Sequence, residues 1–252
     1  MHPQFDFGYP WWLSYGHLVI AAPAALLWLF GRARKWSKTL LLLVGAVTVW
    51  SVVAFFVTRF GLNANGRLSL PTQKFLSSGS GTVLDMGAGT GRSTLMVLEE
   101  RPQTTVTALD LFGDSYEKHF GPGNSGQERL TRNLQAAGLA DRATIQTGDM
   151  RKLPFEPGRF DAVVSTYAID HLSGKGIDTA LRETARVLKP RGEFLIMNIA
   201  KDMWLRFTFG PLLLHSGTRD EAWWTNRLRA SGFEIIEAGK RPVTLFILSR
   251  KL

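Results

Sequence analysis

VLDMGAGTGRST, residues 83–94, decides how the chain is read. An apolar β-branched run ends in a carboxylate (Asp85), three alternating glycines follow (Gly87, Gly89, Gly91), and a helical pattern starts at Arg92. Glycine tolerates positive φ and lets the backbone approach a ligand closely, and a helix start offers free N–H groups. The stretch therefore predicts a strand, a ligand-facing turn and a helix. Working outward, short β-branched runs alternate with helical ones. The pattern predicts strands over 82–86, 105–111, 143–149, 160–166 and 193–200, and helices over 92–100, 125–139, 177–190 and 219–232. FEIIEAG and PVTLFILSRK close the chain as a hairpin. Alternation of this kind predicts an α/β fold: a Rossmann-like, seven-stranded, mostly parallel sheet with helices on both faces and a terminal antiparallel hairpin.

Upstream the composition changes. In a chain of 252 residues, the 25 between Asp6 and Arg32 contain no Asp, Glu, Lys or Arg. The 20 from Thr39 to Thr58 form a second such stretch. Each is long enough to span a bilayer core of roughly 20 residues' helical rise, so an N-terminal two-helix transmembrane hairpin is predicted. Trp11, Trp12 and Tyr15 stand at one membrane edge and Trp36 lies between the segments. Pro23 predicts a kink. The domain expectation is a hairpin over 1–60, a linker with a short helix over 61–81, and the α/β domain over 82–252. With no cysteine there is no disulfide, thiolate metal site or cysteine nucleophile, and no metal is expected. The net charge of +9 is diffuse after residue 60, which disfavours a nucleic-acid partner and favours a membrane surface.

Asp110 ends the second predicted strand 19 residues after Gly91, where a carboxylate can accept both hydroxyls of a ribose. A nicotinamide dinucleotide would fit that pairing, but its GxGxxG fingerprint would need glycine at Arg92. The acidic start at Asp85 also suits a cationic ligand better than a pyrophosphate.

With DMGAGTG, ALDLF, GDMRKLPF (148–155), FDAVVSTYAIDHL (160–172), ARVLKPRGEFLI (185–196) and the closing hairpin in this order, the chain resembles the class I S-adenosylmethionine-dependent methyltransferases over residues 82–250. The resemblance implies S-adenosyl-L-methionine as cofactor. It implies that Asp85 with Gly87, Ala88, Gly89 and Gly91 holds the methionine portion, Asp110 the ribose, Leu111 the adenine face, and Asp149 with Met150 the adenine edge. Ser165, Thr166 and Tyr167 would face the sulfonium and the acceptor. Candidate bases are His171, Asp170 and Tyr167, at the carboxyl edge where such sheets bind ligands, and His119 in the insertion 112–126. Asp161 is expected to fix a loop.

Arsenite methyltransferases need cysteines, and amino methyltransferases of DNA carry a proline-rich motif where this chain has STYAID. The expectation is a membrane-anchored enzyme acting on a hydrophobic small molecule or lipid. The apolar stretch 203–217 is read either as a helix packed on the sheet or against the anchor, or as a substrate-side lid dipping toward the bilayer with Arg206 snorkelling. A thiol- or chalcogen-detoxifying methyltransferase and a catalytically silent cofactor-binding scaffold are the alternatives. The positive-inside rule would place the basic loop 32–38 in the cytoplasm and the domain beyond it, whereas the cofactor requires the domain itself to be cytoplasmic.

Overall fold

The computed structural model describes residues 5–113, 125–201, 203–210, 218–241 and 243–252. The chain divides into two compact units. One takes in the described residues up to Gly8, Gly66–Lys201 and the final stretch to Leu252; the other is Tyr9–Asn65 with a short later helix.

The first unit is built on a seven-stranded sheet. Its elements in chain order are β1 (Ser80–Met86), α3 (Arg92–Glu100), β2 (Gln103–Asp110), α4 (Gly126–Ala136), β3 (Ala143–Thr147), β4 (Phe160–Thr166), α5 (Gly174–Val187), β5 (Leu188–Ile199), α7 (Glu221–Ala230), β6 (Phe233–Arg241) and β7 (Thr244–Lys251). The strand order is β3-β2-β1-β4-β5-β7-β6. β1 pairs in parallel with both β2 and β4, while β7 runs antiparallel to β5 and β6. The order reverses between β1 and β4, and ligands bind such sheets at that crevice, outside the carboxyl ends of the strands.

Local chemistry sets the element ends. Ser125 Oγ accepts the Glu128 N–H at 3.2 Å and starts α4, and Gly138 (φ +67°) lies past its end. Ser173 and Asp220 cap α5 and α7 in the same way. α5 stops at Val187, short of the expected 190, because the residue before a proline avoids the helical region. Residues 188–192 consequently join β5, with a register shift opposite residues 160 and 162. Leu84, Met86, Leu109, Val163, Phe194 and Ile196 are fully buried and form the core around the central strands.

The expected linker is a packed strap, and its expected short helix is a run of turns. Leu70, Phe75 and Leu76 are buried, and Arg101 donates to the carbonyls of Phe75 (2.8 Å) and Gln73 (3.1 Å). Buried apolar side chains and satisfied carbonyls make this segment part of the domain.

The second unit contains α1 (Trp11–Ala33), α2 (Lys38–Phe56), a π-helical turn (Val57–Leu62) and α6 (Met203–Phe209). Two of its helices, Trp11–Ala33 and Lys38–Leu62, are long and apolar enough to cross a membrane. Only 11% of each span is buried, and Leu26, Leu42 and Val49 are 67%, 73% and 63% exposed, unlike the core helix of a water-soluble protein. The buried positions are small: Ser14, Ala21 and Gly31 on α1, Ser51 and Ala54 on α2. Small residues let apolar helices approach closely where lipid supplies no hydrophobic drive between them. Gly31 packs under the turn between the helices, because a Cβ there would collide with the Trp36 ring. Trp50 Nε1 donates to the Phe207 carbonyl at 2.8 Å, which fixes α6 to the hairpin helices.

Candidate functional site

The turn between β1 and α3 has left-handed backbone at Gly87 (φ +87°), Gly89 (φ +52°) and Gly91 (φ +87°). Side chains are excluded there on packing grounds as well. A Cβ at Gly87 would strike Ala168, and one at Gly91 would strike Leu130 of α4. The N–H groups of Gly87 and Ala88 donate to the Leu109 carbonyl at 2.8 and 3.0 Å, which ties the turn to the end of β2. Asp110 Oδ2 accepts the Gly89 N–H at 2.8 Å. Burial pushes the Asp110 carboxyl above the usual carboxylate range, against the opposing N–H bonds of Gly89, Phe112 and Leu111. Leu111, half exposed beside it, leaves an apolar face for a planar base. Met150 reaches the same turn, its Cε 3.2 Å from where a Gly87 Cβ would stand.

Three of the expected cofactor contacts have other partners. Asp85 is fully buried, and its carboxylate accepts Ser93 Oγ (2.9 and 2.7 Å) and Thr94 Oγ1 (2.6 Å) from the first turn of α3. Desolvation pushes it up to about 6, with the Asp110 charge adding to the rise against the two hydroxyl bonds. Asp85 thus clamps the glycine turn to its helix from beneath. Ser165 is also fully buried and donates to the Met86 carbonyl at 2.8 Å, which pins β4 to β1. Asp149 is held by Arg151 through Nε (3.0 Å to each oxygen) and Nη2 (2.6 Å), and this partner keeps its carboxyl below the usual range. To accept an adenine amino group, Asp149 would have to share an oxygen with that guanidinium.

A second cluster forms beyond the carboxyl ends of β4 and β5. Tyr167 has a left-handed backbone (φ +51°), and its phenol meets Thr244 Oγ1 at 2.5 Å. Burial raises that phenol's pKa, against the Thr244 bond. The single turn Ile169–His171 turns the two members of the Asp-His pair in different directions. Asp170 is drawn inward. Burial raises its pKa against the charges of His171 and Arg219, and Arg219 donates to its carbonyl at 3.3 Å. Asn198, with its amide nitrogen set toward acceptors, donates to Asp170 Oδ1 at 3.2 Å. His171, the other candidate base of this pair, is exposed at the surface. Thr166 Oγ1 is buried beside this cluster without a hydrogen-bond partner from the protein.

Asn198 and Thr244 were not singled out from the sequence. The signal for Asn198 was an amide inside the apolar run EFLIMNIA. Thr244 had none, because its relation to Tyr167 depends on the order β4-β5-β7. His119 lies outside the described residues, as do 114–124 of the expected flap and 211–217 of the expected lid. Asp161, expected to fix a loop, instead ties β4 to its neighbour strands, accepting the Thr82 N–H of β1 (2.8 Å) and Lys189 Nζ of β5 (2.7 Å) at the opposite ends of the strands.

The turn, Asp110, Leu111 and Met150 fit a nucleoside carrying a short amino-acid arm. Gly87 and Gly91 admit no side chain, a carboxylate stands at the end of the second strand, and an apolar platform adjoins it.

Comparison with known proteins agrees with this geometry. Residues 83–192 match the family described as a methyltransferase domain. A ubiquinone/menaquinone biosynthesis C-methyltransferase of Brucella anthropi is 34% identical over 121 residues, 48% of this chain and 41% of that protein. The chain therefore spans well under half the length of this curated relative. Among solved structures, an S-adenosylmethionine-dependent methyltransferase from Methanosarcina mazei superposes with a TM-score of 0.57 at 17% identity, covering 74% of this chain and 99% of its own. The [4+2]-cyclase SpnF gives a TM-score of 0.57 at 18% identity, covering 71% and 77%. These two likenesses establish the fold.

Proposed function

We propose, for a chain that carries a class I S-adenosylmethionine-dependent methyltransferase domain with S-adenosyl-L-methionine as its cofactor, a membrane-anchored enzyme that methylates a hydrophobic small molecule or lipid. The observation that carries this reading is one of chain continuity. β5 ends at the ligand edge of the sheet, and the chain passes from there into α6, which packs with the two apolar helices. α6 exposes Met203 (74%), Trp204 (52%) and Phe207 (45%), an apolar surface that a lipid environment would cover. The relative from Brucella is named for ubiquinone/menaquinone biosynthesis, whose products are lipophilic, and this supports an acceptor of that kind.

The bound cofactor supplies an electrophilic methyl group on a sulfonium. The protein's part is chiefly alignment, since displacement at carbon needs the acceptor in line. Asp110 and the glycine turn would hold the nucleoside, and Leu111 and Met150 would flank the base. Asp170 would take the proton from an acidic O–H or C–H of the acceptor, with Asn198 orienting its carboxylate. A buried carboxylate with a raised pKa favours an acceptor that needs a base over a thiol, which at pKa about 8.5 needs little help.

The test is transfer of labelled methyl from S-adenosylmethionine by the full-length protein, reconstituted with membrane lipid extract or supplied with water-soluble metabolites. Label in the lipid phase is expected. Label confined to the aqueous acceptors would refute the reading.

A further inference from the structure

Residues 5–8, ahead of α1, belong to the same unit as the sheet. This segment is tied to the glycine turn. The Asp6 N–H donates to Asn133 Oδ1 at 3.0 Å, and Asn133 Nδ2 donates to the carbonyls of Asp6 (2.9 Å) and Thr90 (3.0 Å). Thr90 Oγ1 donates in turn to the Phe7 carbonyl at 3.2 Å. Phe7 is 1% exposed and Asn133 3%. The Asp6 carboxylate pairs with Arg129 on α4 and accepts the Gly8 N–H at 2.9 Å. Thr90 stands between Gly89, whose N–H is bound by Asp110, and Gly91, which begins α3. After the hairpin the chain is gripped again at the same helix. Arg92 Nε donates to the Gly66 carbonyl at 2.7 Å, and Arg67 pairs with Glu99 at 2.8 Å.

We infer that residues 5–8 are a positioning element of the cofactor site, with Asn133 as the clasp that locks the segment onto the Thr90 peptide. Both ends of the hairpin insertion are fastened to the glycine turn or to the helix it starts. Holding Thr90 through its carbonyl and its hydroxyl leaves the Gly89 N–H in place for Asp110 and presents the turn in its binding shape before the ligand arrives. Preorganisation of this kind appears as affinity. Linkage makes it reciprocal, so a ligand that needs the ordered turn must also stabilise residues 5–8. The inference concerns cofactor affinity and is independent of which acceptor the enzyme uses.

The test uses the full chain in detergent or lipid nanodiscs, with S-adenosylhomocysteine as probe. Asn133→Leu, which removes the amide's bonds to Asp6 and Thr90, and Phe7→Ala, which deletes the buried ring that seats the segment, should each raise its Kd by about fivefold to thirtyfold. The double variant should be little weaker than the worse single one, because both act through one clasp. In the wild-type protein, saturating probe should slow amide exchange across residues 5–8 several-fold, a measurement that needs no variant to fold. Lowered thermal midpoints with unchanged Kd would make the segment a fold strap only and overturn the inference. So would exchange over 5–8 that ignores the probe.

Discussion

At Asp110 a single carboxylate does two things: it receives the Gly89 N–H and stands where a ribose would present its hydroxyls. Two charge-assisted bonds lost at about 1.5–3 kcal/mol each mean that Asp110→Ala should weaken S-adenosylmethionine binding by roughly two to four decades, read by calorimetry. Affinity within threefold of wild type would contradict the assignment. Asp85 makes a different prediction. The folded protein holds its proton up to about pH 6, whereas an unfolded chain releases it near the ordinary aspartate value of 3.8. Between these values the folded state binds more protons, so stability falls as pH rises, by something on the order of 3 kcal/mol across the window. Thermal unfolding of Asp85→Asn beside wild type should show the variant gaining relative stability from pH 4 to pH 7. A difference that is flat or falls with pH would show that the buried carboxyl is not what titrates. In the second cluster, Asp170→Asn should lower turnover by about 10²–10⁴ with cofactor Kd unchanged, and His171→Ala should leave turnover within about threefold. The raised pKa of Asp170 further places the acid limb of kcat/KM above the ordinary carboxylate range, with activity lost as pH falls through it. Asp170→Asn should abolish that limb. The inward member of the Asp-His pair could not be read from the sequence, because a single turn chooses which neighbour faces the site. The glycine turn could be read, because its residue types are dictated by backbone conformation. Asp85 and Ser165 were read as ligand contacts because sequence gives nearness to the turn but not direction, and pleating sends both side chains into the core.

Strands and helices were legible wherever burial follows a period. α3 and α4 end within a few residues of the expected positions because cap and stop residues mark them. The strap over 66–79 was not legible: its Gly, Asn and Ser content reads as loose linker, and only the tertiary partners Arg101, Glu100 and Glu193 show it to be packed. α6 was half legible, since its apolar content predicted burial or lipid contact, while its attachment through Trp50 depends on folding. A prediction belongs to this helix. Met203→Ser with Phe207→Ser removes two exposed apolar side chains, each worth about 1.5–3 kcal/mol when fully covered. If α6 meets lipid, turnover on a lipid-borne acceptor should fall about tenfold or more while S-adenosylhomocysteine affinity stays unchanged. An equal loss of cofactor binding would show instead that the helix supports the fold of the site.

For the molecule as a whole, the hairpin raises a question of sidedness that its connectivity answers in one way. Residues 5–8 and 66–201 are bonded within one unit, so they share one side of any membrane, and a spanning pair of helices must return the chain to the side it left. The turn between the helices, with Arg32, Arg34, Lys35 and Lys38 around it, then faces the opposite compartment. That arrangement opposes the positive-inside rule if the domain is cytoplasmic, where its cofactor would be supplied. A shallow hairpin resting in one leaflet would satisfy the rule and leave all these residues on one side. The chain's lack of cysteine makes the choice measurable. Ser37→Cys lies in the turn and Ser78→Cys in the strap before β1. In sealed, cytoplasm-side-out vesicles, a membrane-impermeant maleimide should label Cys introduced at position 78 at once and the one at position 37 only after detergent. Prompt labelling of both would establish the shallow hairpin and end the spanning model. Labelling of position 37 alone would put the domain on the far side, away from cytoplasmic cofactor, as the basic turn by itself would have it.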